Sequence, residues 1–168
     1  MDRDRKVFQI VGFQNSGKTT LMEGIINYWS KHDLKVGTIK HHGHGGKPRK
    51  TVAEKDTDKH VNAGASIVAC EGEGELVLLK QTLNWSLADI IQFYENFSLD
   101  FILIEGYKYE DYPKAVLIRG EEDMYLLDQL SNIQAILTWV PLKNAYPYKI
   151  FSIKQKEEFI KWLFTQYN

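Results

Sequence analysis

The run Gly12-Phe13-Gln14-Asn15-Ser16-Gly17-Lys18-Thr19-Thr20 carries the spacing G-x-x-x-x-G-K-[ST]. That spacing is the phosphate-binding loop of nucleoside triphosphatases. A triphosphate crowds negative charge into a small volume, so the loop must meet it with backbone N–H groups. Gly12 and Gly17 keep the approach open, because glycine adopts backbone angles that other residues avoid. A helix opening near Gly17 adds unpaired N–H groups and a partial positive charge. Lys18 reaches for the outer phosphates. The Thr19 hydroxyl suits magnesium, which takes oxygen ligands in octahedral geometry. Gly12, Gln14, Asn15, Ser16, Gly17, Lys18, Thr19 and Thr20 are therefore candidate nucleotide-binding residues.

A second landmark is Asp100-Phe101-Ile102-Leu103-Ile104-Glu105-Gly106. Its apolar core reads as a buried strand ending in an acid. In phosphate-loop proteins that position sets a carboxylate beside magnesium. Open parallel sheets bind ligands beyond the carboxyl ends of their strands. Glu105 is thus a metal-side candidate with Thr19, and the Gly106 N–H is expected to face the terminal phosphate.

Two further segments stay open to more than one reading. His41-His42-Gly43-His44-Gly45-Gly46-Lys47-Pro48-Arg49-Lys50 is a basic, glycine-rich loop. It suits contact with phosphates or a second anion, a solvated turn, or a metal held by His41, His42 and His44. It contains no cysteine or carboxylate to complete a transition-metal set. Asp56-Thr57-Asp58-Lys59-His60 opens a short helix that Gly64 can end. Its acids serve as caps, or Asp58 holds magnesium or its water while His60 faces the ligand.

These residues need a scaffold. Val7 to Val11 reads as a buried strand, and Leu21, Ile25 and Trp29 mark the helix after the loop, from Gly17 to about His32. Leu34 to Lys40 reads as strand two, giving a strand–helix–strand unit and a largely parallel sheet. Ser66 to Cys70 and Glu75 to Lys80 read as strands of an antiparallel hairpin around Gly72-Glu73-Gly74. That hairpin is expected at an edge of the sheet, where it can pair with another chain. Leu87, Ile90, Ile91, Tyr94 and Phe97 form one apolar helix face. Ala115 to Ile118 and Ile133 to Leu137 read as further strands, with a short helix from Met124 to Leu130 between them. Tyr146-Pro147-Tyr148 marks a loop, and Ser152-x-x-Gln155 caps a final helix. The fold class expected is α/β: a three-layer phosphate-loop fold, mostly parallel, with an antiparallel edge hairpin.

The 168 residues suit one domain with a substantial core. Hydrophobic content of 43% and charged content of 26% read as globular. A net charge of −1 gives no whole-molecule attraction to nucleic acid or an acidic membrane. No window is long and apolar enough to span a bilayer, and the mixed-charge start lacks a signal-peptide pattern. The single cysteine, Cys70, reads as a small buried hydrophobe and fits a reducing compartment. The cytoplasm is the expected location.

The order GFQNSGKTT, KHHGHGG, DTDKHVNAGA and DFILIEGYK followed by Pro113-Lys114 resembles the molybdopterin-guanine dinucleotide biosynthesis protein B family over about residues 6 to 118. The resemblance implies a dimeric GTP-binding adaptor with feeble hydrolysis. It implies GTP and Mg2+ as ligands, a guanylyltransferase as partner and a molybdopterin-type molecule as second ligand. By motif match, Gly12 to Thr20 hold the phosphates, and Thr19 and Glu105 form the magnesium side. His41, Asp56, Asp58 and His60 lie in segments around the nucleotide or second ligand, and His42 and Lys108 are further candidate contacts.

Base choice is not written in the residues. Leu137-Thr138-Trp139-Val140 occupies the place of a guanine-reading Asn-Lys-x-Asp motif without containing one. Arg49 is the nearest candidate for a charge-stabilising arginine. The competing functions are a small-metabolite kinase and a metallochaperone using the histidine loop.

Overall fold

A computed structural model describes residues 6–43, 55–80 and 84–167. The chain forms two compact units. One is built from residues up to Gly43 and from Leu87 onward, and the other spans His44–Ser86.

The larger unit is a six-stranded sheet. Its strands are β1 (Lys6–Gly12), β2 (Val36–Lys40), β5 (Phe101–Glu105), β6 (Lys114–Ile118), β7 (Ile133–Thr138) and β8 (Lys149–Ser152), in the order β2-β5-β1-β6-β7-β8. Every pairing in it is parallel. β1 is therefore central, with both faces covered, and its apolar residues Phe8, Ile10 and Val11 are fully buried. Side chains alternate across the strands. Phe8 and Ile10 of β1, Phe101 and Leu103 of β5, and Leu117 of β6 pack with Leu21, Ile25 and Trp29 of α1 (Lys18–Ser30). Phe159, Ile160 and Leu163 of α5 (Lys156–Tyr167) join the same layer. Burying each such large side chain contributes roughly 1.5–3 kcal/mol. On the opposite face, Val11, Val116 and Ile136 pack with Leu126 and Leu127 of α4 (Leu126–Gln129). Ile39, Ile102 and Ile104 meet Leu87 of α3 (Leu87–Tyr94) there. The result is the three-layer α/β arrangement expected.

Particular elements differ from expectation. α3 ends at Tyr94, and Phe97 is 45% exposed rather than part of the core face. A 3-10 turn at Glu121–Asp123 precedes α4, which has only a single turn. β8 is absent from the sequence reading, because Ile150 and Phe151 alone are too short an apolar signal. The final helix enters through a 3-10 turn, with the Ser152 and Gln155 capping box formed as read.

The smaller unit contains α2 (Lys55–Asn62) and the antiparallel pair β3 (Ile67–Gly72) and β4 (Glu75–Lys80). The hairpin is antiparallel as expected, but it is a sheet of its own rather than an edge of the six-stranded one. Gly64, at φ 101°, ends α2 as read, and the Ala65 N–H reaches back to the His60 carbonyl. Val68, Cys70, Val77 and Leu79 share one face of the hairpin around Thr57. On the other face Ile67, Leu76 and Leu78 are exposed.

Candidate functional site

The loop between β1 and α1 is shaped by backbone that only certain residues tolerate. Gly12 (φ 152°) and Gly17 (φ 97°) lie in the positive-φ region, as does Asn15 (φ 59°), which tolerates it better than most residues. A Cβ on Gly12 would stand 2.8 Å from the Leu117 carbonyl oxygen and 2.9 Å from Ser16 Oγ. The loop thus lies directly against β6. Gln14 and Asn15 are exposed at its tip, Ser16 is fully buried, and Thr19 and Thr20 emerge on the first turn of α1.

Lys18 folds back over the loop, donating from Nζ to the Phe13 carbonyl at 2.6 Å. Burial lowers its pKa from the usual lysine value. Glu105 opposes that shift, while the nearby charges of Lys40 and Lys108 add to it. Three cations and one acid therefore converge on the loop. Lys108 Nζ sits 4.4 Å from the centre of the Phe13 ring, a cation–π contact.

Glu105 lies where the strand register requires. Lys40, Glu105 and Ile10 occupy one row across β2, β5 and β1. The carboxylate accepts from Thr19 Oγ1 at 3.3 Å on each oxygen and lies 3.2 Å from Lys40 Nζ. Glu105 and Thr19, far apart in sequence, are thus in contact.

The Gly106 N–H is a correction. It donates to the Ile10 carbonyl at 3.0 Å and so belongs to the β1–β5 edge rather than facing a phosphate. What the glycine contributes is space and a φ of 93°, since a Cβ there would stand 3.0 Å from His41 Cβ. The His41 N–H donates to the Glu105 carbonyl at 2.9 Å, and its ring lies 4.5 Å from that of Tyr107. His42 is exposed beside it.

Asp56, Asp58 and His60 stand on α2 of the smaller unit. There Asp56 pairs with Lys59 at 2.7 Å, Asp58 is half-buried and His60 is exposed. His44 and Arg49 lie outside the described residues. Among the described residues, no group of three or more His, Cys, Asp or Glu side chains is placed to hold a metal ion.

Besides Lys40, two further site residues were not singled out as contacts in the sequence. Gln9 is fully buried on β1, and its Nε2 donates to the carbonyls of Gly106 (3.1 Å) and Tyr107 (2.8 Å). It fixes the turn after Glu105, where Tyr107 sits at φ 52°. A polar residue inside an apolar run was the available signal. Trp139, just past β7, donates from Nε1 to the Ser16 carbonyl at 3.1 Å. Only the sheet order β1-β6-β7 brings that residue to the loop.

The family described as molybdopterin guanine dinucleotide synthesis protein B, MobB, matches residues 7–139. The chain belongs to this family. A probable molybdopterin-guanine dinucleotide biosynthesis adapter protein of Bacillus subtilis is 46% identical over 131 residues, covering 78% of this chain and 75% of the relative. The adapter protein of Haemophilus influenzae is 30% identical over 166 residues, covering 97% and 92%. The crystal structure of Bacillus subtilis MobB superposes with a TM-score of 0.82 at 36% identity, covering 97% of this chain and 98% of that one. The MobB homolog of Bacillus stearothermophilus gives 0.79 at 38% identity, covering 95% and 96%. The MobB match spans the loop, Glu105 and Trp139, so the residues of this site lie inside it. No helix among the described residues is long and apolar enough to cross a membrane.

Proposed function

We propose that this chain is a GTP-binding adapter in molybdopterin guanine dinucleotide synthesis, assisting a guanylyltransferase that joins the nucleotide to molybdopterin. One observation carries the nucleotide reading: the Thr19 hydroxyl and the Glu105 carboxylate meet at the mouth of the glycine loop. The loop supports the reading through its backbone: Gly12 and Gly17 take positive φ, and Gly12 lets the loop lie against Leu117 of β6 with Ser16 Oγ, buried and without a hydrogen-bond partner among the described residues, packed beside it. The oxygen donors Thr19 and Glu105 fit magnesium, whose bound form would neutralise phosphate charge.

The residues divide the work. Backbone N–H groups from Phe13 to Thr20 hold the phosphates, and Lys18 exchanges the Phe13 carbonyl for a phosphate oxygen. Lys40 and Lys108 add positive charge at the rim. His41 and His42 are proposed contacts of a molybdopterin-type ligand. Hydrolysis is weak in this reading, so the bound nucleotide acts mainly as a state of the adapter. A homodimer through the smaller unit is supported by its apolar outer face of Ile67, Leu76 and Leu78, since an isolated two-stranded sheet is marginal in water.

A nucleotide competition series tests the proposal: GTP against ATP with magnesium, with and without a molybdopterin-type ligand. GTP preference and mutual enhancement with the second ligand are expected. Transfer of labelled phosphate to a small metabolite faster than to water would replace this reading with a kinase.

A further inference from the structure

Trp139 is a large aromatic that the core does not need. It is 54% exposed, yet it is fixed at both ends. Its backbone N–H continues the sheet by donating to the Ile118 carbonyl at 3.0 Å. Its indole N–H is tied to the Ser16 carbonyl at 3.1 Å. The Thr138 hydroxyl ties down the residue after Trp139, accepting from the Val140 N–H at 3.2 Å and donating to the Val140 carbonyl. The ring edge lies beside the start of α1, 3.8 Å from where a Gly17 Cβ would stand. An apolar plate of this kind, held rigidly beside the phosphate loop with much of its surface in water, is suited to a flat partner.

We propose that the Trp139 indole is the platform on which the purine base of the bound nucleotide stacks. The inference rests on the nucleotide reading above and deepens it, naming the residue that meets the base. It also makes a distinction about selectivity. Every base has a π-face, so stacking is tolerant of base identity. Trp139 therefore supplies affinity for the base of a nucleotide whatever its identity and does not choose guanine over adenine. The N–H bond to Ser16 serves a separate purpose: it holds the plate at a fixed position relative to the phosphates.

The test compares GTP, ATP and inorganic tripolyphosphate as ligands of the whole chain, by calorimetry with magnesium, for the wild type, Trp139→Ala and Trp139→Phe. Trp139→Ala is expected to weaken GTP and ATP alike by about tenfold or more, the loss of one base–aromatic stack. Tripolyphosphate, which has no base, should bind the Ala variant as it binds the wild type. Trp139→Phe keeps a ring and loses the N–H, and should retain most of the nucleotide affinity. The proposal is overturned if tripolyphosphate weakens as much as GTP, because Trp139 then only braces the loop. It is equally overturned if Trp139→Ala leaves GTP binding unchanged. A wild-type chain that binds none of the three ligands removes the nucleotide reading itself, an outcome distinct from either.

Discussion

Glu105→Gln separates a carboxylate that serves a cation from one that serves only the fold. Glu105 is 8% exposed, with the Thr19 hydroxyl 3.3 Å from both oxygens and Lys40 at 3.2 Å. Glutamine keeps the shape and a carbonyl oxygen for Thr19 but removes the negative charge. The Lys40 side chain is 62% exposed, so the lost ion pair is screened by water and contributes about 0.2–1 kcal/mol. Removing a nearly buried charge also relieves its desolvation, which offsets part of that loss. The nucleotide-free protein should therefore change in stability by less than about 1 kcal/mol. The magnesium response is a different matter. A contact to a charged group contributes about 1.5–3 kcal/mol, so the gain in GTP affinity from magnesium should shrink roughly tenfold to hundredfold. Calorimetric GTP titrations across a magnesium series, with urea denaturation of the same samples, measure both quantities. An unchanged magnesium dependence refutes the reasoning. So does a stability loss above about 3 kcal/mol, the range expected when a buried charge pair is broken.

Lys18 must be protonated to hold a phosphate, and burial lowers its pKa in the free protein. Below that lowered pKa the lysine is already charged and affinity is full. As pH rises through it, binding must first restore the proton, so triphosphate affinity should fall before pH reaches the ordinary lysine value of 10.5. Lys18→Ala should lose about 1.5–3 kcal/mol of binding and show no such alkaline fall; an identical pH profile in the variant would contradict the assignment. Lys114 is fully buried and donates to the carbonyls of Glu110 (2.6 Å) and Ser131 (2.8 Å). Lys114→Met strands those acceptors and should cost about 1–3 kcal/mol in denaturation at neutral pH. Burial also lowers the Lys114 pKa, so the wild type gains stability as pH rises from that folded value toward 10.5, and the Met variant should lack this gain. Leu76→Glu, on the exposed hairpin face, should shift sedimentation toward monomer without altering GTP affinity in the larger unit; an unchanged sedimentation profile argues against that face as the dimer contact.

The shape of the glycine loop was legible because it is local: Gly12 and Gly17 take positive φ and Lys18 opens α1, as the spacing implied. Glu105 was legible for a related reason, since a strand ending in an acid places that acid at the sheet's carboxyl rim whichever neighbours the strand has. The Ser152 and Gln155 capping box formed as read for the same cause, as did the Gly64 helix end. The sequence could not say that the Gly106 N–H is taken by Ile10, because that bond depends on β5 lying beside β1. Nor could it say that the hairpin stands apart from the main sheet, because period-two alternation marks a strand but not its partner. Nor could it say that Lys114 is buried, because the Glu110 and Ser131 carbonyls that receive its ammonium are brought together only by the fold. Trp139 shows the division most plainly. Its contact with Ser16 spans 123 positions of chain, and only the neighbouring of β1, β6 and β7 brings the two together. Residue types and spacing determined the conformation of the glycine loop and the helix that opens from it. Strand order, a property of the whole sheet, decided which other groups stand beside that loop.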